Sequence, residues 1–93
     1  MDNLIDTIGE LFQETGKAHH QAFIEVDGVD PEWPAWYAEH MHEKLCNLLN
    51  AKFTKSELIY LLILVDREQR LESPGGDWMK YYGRFFTERY VFE

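Results

Sequence analysis

With one cysteine, Cys46, the chain has no intrachain disulfide to form. No apolar N-terminal stretch with a cleavage site is present either, so a secreted disulfide scaffold is excluded and a reducing cytoplasm is the expected location. Long hydrophobic runs are missing too. The longest, Leu58 to Val65, has eight residues, against the ~20 needed to cross a bilayer. Prolines number three in 93 residues, too few for an extended or proline-rich chain. Bases are scarce in the first half: residues 1–50 hold ten acids against Lys17 and Lys44, whereas residues 51–93 hold seven of each sign. The whole net charge of −8 therefore belongs to the first half. Such a surface repels phosphate backbones and anionic membranes and favours basic partners. No nucleic-acid or membrane partner is expected.

What is present is a core-forming composition, 45% hydrophobic and 15% aromatic, in a length that fills one core and not two. Residues 1–93 read as a single helical domain. Apolar residues recur at helical spacing in four segments. The first spans about Asn3 to Glu25, with Leu4, Ile5, Ile8, Leu11, Phe12, Thr15, Ala18, Ala22 and Phe23 on one side. Asp27 to Asp30 reads as a turn, Asp30 as the cap of helix two, and Pro31 as its first residue. That helix reaches Leu49, with Tyr37, Ala38, Met41, Leu45, Leu48 and Leu49 inward. Thr54 and Glu57 have the spacing of a capping box, which starts helix three near Lys55 and carries it to about Glu72. Ser73 to Gly76 end it, and Asp77 caps a fourth helix running to about Tyr90.

The expected fold is all-α: a four-helix, antiparallel bundle with a central, apolar third helix. Helix three is apolar on two faces, with Leu58, Leu61, Leu62 and Val65 on one and Tyr60, Ile63, Leu64 and Leu71 on the other. Both faces need covering. The second is met either by other helices of the same chain or by a second copy.

Chemistry is sparse. His19 falls on the core face of helix one and His20 at its edge, so His19 is either a packed core residue or a ligand in a pocket. Glu39 and His42 have the i, i+3 spacing of di-iron bundle ligands. That motif occurs once where two are needed, so the metal alternative rests on His19, His42 and Glu39 converging between helices one and two. Cys46 has His42 one turn before it, a pair that serves nucleophilic catalysis only beside an oxyanion hole. Gly75 and Gly76 lack the lysine and threonine of a phosphate loop. Asp27, Asp30 and Glu32 lack the alternation of a calcium loop. No motif calls for a cofactor.

Aromatics are the larger anomaly. Trp36 projects away from the core face of helix two, with Trp33 on its flank, and Asp30, Glu32 and Glu39 surround them. Either residues 26–30 fold over Trp36, or the two tryptophans form an aromatic centre with an acidic rim, suited to a basic protein partner. Arg89, on the apolar face of helix four, needs a carboxylate from the acidic half or an exit to solvent.

The stretch Ala18-His19-His20-Gln21-Ala22-Phe23, then Asp30-Pro31-Glu32-Trp33-Pro34-Ala35-Trp36-Tyr37-Ala38, resembles a group of small bacterial helical proteins that carry similar wording. Lys55 to Leu62 and Trp78 to Tyr82 fit the same group. The resemblance implies a cytoplasmic bacterial protein and brings no activity with it. It directs attention to His19, His20, Trp33, Trp36 and Tyr37 as partner- or ligand-binding residues. The expected function is a non-enzymatic protein-interaction or regulatory module, homodimeric. The alternative is a small-ligand or metal-binding protein, or an enzyme, with its site between helices one and two.

Overall fold

The computed structural model describes residues 2–24, 30–72 and 75–90. Among them are four helices and no strand: α1 (Asp2–Ala22), α2 (Trp33–Leu49), α3 (Lys55–Glu72) and α4 (Trp78–Tyr90). Their packing is that of a four-helix bundle.

Helix α1 buries Ile8, Leu11, Phe12, Thr15 and His19 in one stripe. Inside it the Thr15 hydroxyl donates to the Leu11 carbonyl at 2.7 Å, satisfying a polar group that the core would otherwise leave unpaired. The helix stops at Ala22, earlier than the sequence pattern indicates, and the Phe23 amide closes it on the carbonyls of His19 and His20. Gly16 neither bends nor ends it.

Asp30 does not cap α2. The helix begins at Trp33 with Glu32 at the cap position, making no side-chain bond to the first amides. Pro34, rather than Pro31, occupies the first turn, where its missing donor costs nothing. Asp30 instead ties the preceding turn, its Oδ1 accepting the Glu32 amide at 3.0 Å and its carbonyl the Trp33 amide at 3.1 Å. The turn assigned to 27–30 lies, but for Asp30, outside the described residues. So do Ser73, Pro74 and Phe92.

At its other end α2 closes on Asn50, which is left-handed at φ 51° and ψ 46°, a conformation asparagine tolerates better than most residues. The chain then runs back along α2: Lys55 reaches Glu39 at 2.8 Å. The capping box of α3 forms in full, with the Glu57 amide donating to Thr54 Oγ1 at 3.0 Å and the Thr54 amide to Glu57 Oε1 at 2.9 Å. Asp77 caps α4 through the Lys80 amide.

Three pairings are antiparallel by register. Ile5 faces Gly83 and Gly9 faces Met79 between α1 and α4. Glu14 faces Lys44 and His19 faces Trp36 between α1 and α2. Glu72 meets Tyr81 and Asp66 meets Tyr82 between α3 and α4. The α1–α4 contact is backbone-close, because Gly9 and Gly83 present no side chain to the helix opposite. At the centre, Phe12 stacks on Phe86 at 5.7 Å and meets Tyr82 edge-on at 4.9 Å.

Helix α3 is covered on one side only. Leu58, Leu61, Leu62 and Val65 are buried, while Tyr60 is 63% exposed, Ile63 54% and Leu71 77%. The second apolar face is thus not filled by the described residues of the chain, and α3 flanks the bundle instead of lying at its centre. Arg89 takes the solvent exit: it is exposed and lies over the Phe85 ring at 5.5 Å, with no carboxylate partner among the described residues of the acidic half.

Candidate functional site

The aromatic head of α2 is assembled by the end of α1. His19 Nε2 lies 3.1 Å from Asp30 Oδ2, and both side chains are largely buried. Around the imidazole stand Phe23 at 4.8 Å, Trp36 edge-on at 5.2 Å and Tyr37 at 5.5 Å. His40, one turn further along α2, stacks flat on Trp36 at 5.1 Å and 10°. Trp33 meets Tyr37 edge-on at 5.2 Å.

Trp36 is thereby half-buried, held between His19 and His40 with the rest of its surface open. Its cover comes from His19 and Phe23 of the α1 end; residues 26–29, the other cover considered, lie outside the described residues. Of the acidic rim, Asp30 is bonded to His19, Glu39 is exposed and bonded to Lys55, and Glu32 is exposed.

The two histidines of the pair face different surfaces. His20 is exposed and borders an open groove of about 590 Å³ between α1, the start of α4 and Tyr37. Its other walls include Gly16, Lys17, Trp78 and Met79. A β-carbon on Gly16 would stand 3.2 Å from the Tyr37 hydroxyl, so the glycine admits the phenol to the groove floor. Burial pushes that hydroxyl above its ordinary pKa.

His19, His42 and Glu39 do not converge. His42 Nε2 bonds the Phe53 carbonyl and holds the back-running segment against α2, while Glu39 is turned out to Lys55. Among the described residues no group of three or more histidine, cysteine or carboxylate side chains is placed to hold a metal ion. The Cys46 sulfur lies 3.5 Å from the same His42 Nε2. Because that nitrogen already faces the Phe53 carbonyl, its proton is committed there and it is not placed to take one from the thiol.

Sequence reasoning missed His40 and Phe23 as members of the aromatic cluster. Both stand four residues from a residue that was chosen, His40 after Trp36 and Phe23 after His19, and i, i+4 neighbours share a helix face. The fold and the site define a small all-α protein with an aromatic head and no metal cluster among its described residues. No family model, no curated protein and no solved structure matches the chain. No described helix is long and apolar enough to cross a membrane.

Proposed function

We propose that the chain is a non-enzymatic protein-interaction or regulatory module of the bacterial cytoplasm, presenting Trp33, Trp36 and Tyr37 to a basic protein partner. One observation carries the reading: Trp36 is held rigidly between two imidazoles yet left half-open, on the half of the chain that bears the whole charge of −8. A preordered aromatic ring with a charged surround is the usual composition of a binding hot spot. The first-half acids steer a basic partner and discourage nucleic acid. The commitment of His19 and His42 to structural bonds supports the non-enzymatic reading. Quantitative affinity capture with the wild-type chain and with Trp36→Ala as baits tests it. The expected result is a basic protein enriched on the first and lost on the second; no protein that distinguishes the two baits overturns it.

A second reading is favoured by the Tyr37 hydroxyl, which has no hydrogen-bond partner among the described residues and lies at the floor of the groove bordered by Lys17, His20 and Trp78. There the chain binds a small anionic molecule with a flat apolar body. Native mass spectrometry of protein purified without a metal-affinity tag tests it: a retained small molecule that disappears in Trp78→Ala supports it, and a bare chain that takes up no aromatic carboxylate overturns it.

A further inference from the structure

Three of the four large apolar side chains that stand exposed among the described residues lie on the outward face of α3. Tyr60, Ile63 and Leu71 are the most exposed large apolar side chains of that helix. With Ser56 and Arg67 they form a line along the side opposite Leu58, Leu62 and Val65, at the spacing of a helix–helix seam. Arg67 is exposed within this line and, unlike its neighbour Arg70, which pairs with Asp66 at 3.0 Å, has no carboxylate partner among the described residues.

We infer that this face is the seam of a two-fold homodimer. Three observations select a second copy as its occupant. The first is charge. Residues 51–93 carry no net charge, and the −8 lies on residues 1–50. Two copies meeting through α3 avoid the repulsion that any contact between their α1 or α2 surfaces would bring, while a charged macromolecule gains no steering from a neutral face. Glu57, Glu68 and Glu72 beside the stripe also oppose an anionic membrane.

The second is self-complementarity, which an isologous interface requires. In an antiparallel pairing with its two-fold axis between Ile63 and Leu64, Tyr60 of one copy lies opposite Arg67 of the other. The unpaired guanidinium then meets an aromatic face, and the apolar pair sits at the centre.

The third is a fitting hole. The same register sets Leu71 opposite Ser56, beside an open cavity of about 400 Å³ between the start of α3 and the end of α4, lined by Ser56, Glu57, Tyr60, Leu61, Arg89 and Tyr90. The most exposed apolar knob on α3 thus faces the hollow at its other end, twice over by symmetry. Arg89 and Tyr90 widen the seam beyond one helix.

Sedimentation velocity of the full chain from about 5 to about 200 µM tests the proposal, a range in which an interface of ordinary size is populated. The wild type is expected at twice 11.1 kDa and Leu71→Glu at 11.1 kDa, with unchanged helical circular dichroism because residue 71 is exposed. Ile63→Glu supplies an independent second disruption. Trp36→Ala is expected to keep the dimer mass, which separates this seam from the head of α2. A wild type that stays monomeric throughout overturns the proposal. So does a dimer that survives both α3 variants, or one lost in Trp36→Ala alone.

Discussion

His19 on α1 and Asp30 before α2 meet at 3.1 Å across eleven positions of sequence, and this one bond fixes where α2 begins relative to the end of α1. The carboxylate serves both sides of the junction, Oδ2 facing the imidazole and Oδ1 accepting the Glu32 amide. Trp36 packs on the same imidazole, so the aromatic head depends on it. Hydrogen bonds involving charged groups contribute about 1.5–3 kcal/mol, and His19→Ala and Asp30→Ala are each expected to lose an amount in that range. In urea titration the double variant should lose clearly less than the two single losses combined. Full additivity would show that the pair is not coupled.

At Gly83, α4 approaches the backbone of α1 too closely for a side chain. A β-carbon there would run into the Ile5 carbonyl, a backbone group that has no rotamer to escape into. Gly83→Ala is expected to cost about 1–3 kcal/mol or more, in spite of alanine's better helix propensity. Gly9→Ala should cost less, since its nearest neighbour, the Met79 carbonyl, is 3.1 Å away. Gly75→Ala, with open space around it, is the neutral control. Thermal melts of the three variants should rank in that order.

Thr87 is buried in α4, and its hydroxyl has no hydrogen-bond partner among the described residues. An unmet buried donor costs about 1–3 kcal/mol, and valine fills the same shape without it. Thr87→Val is expected to raise stability by about 1 kcal/mol at unchanged m-value. A destabilised variant would mean that the hydroxyl has found a partner.

Burial, and then the Asp66 carboxylate to which its hydroxyl donates, push Tyr82 well above its ordinary phenol value of 10.0. A group whose pKa is raised on folding holds its proton more tightly in the folded chain, so its contribution to stability is complete below the unfolded value and declines above it. Stability should therefore fall as pH climbs past about 10, where unfolded tyrosine ionises. Tyr82→Phe should flatten that decline without altering its position for the other tyrosines. Urea midpoints between about pH 8 and about pH 11.5 read the difference.

Local physics made much of this fold legible. The Thr54–Glu57 box, the Asp77 cap and the inward stripes of α1, α2 and one face of α3 follow from spacings of three and four residues, which sequence states directly. Asp30 was misassigned for the same reason. Its local look as a cap concealed a partner on another helix, and Pro34 displaced the start of α2. Trp36 was legible as misplaced from the core, but its embrace by His19 and His40 needed the distance between α1 and α2. The Gly9 and Gly83 approach carries no pattern, since a missing side chain acquires meaning only when the neighbouring backbone is known.

The tight seam between α1 and α4 also sets an order of events. Of the four described helices α1 precedes α4 in synthesis and packs backbone-close against it, so that contact must wait while α2 and α3 are made. Closure of the bundle is then a long-range step that joins helices separated by α2 and α3, the kind of contact that slows folding because a large loop has to be ordered first. Until α4 arrives, Phe12 lacks the cover that Tyr82 and Phe86 give it.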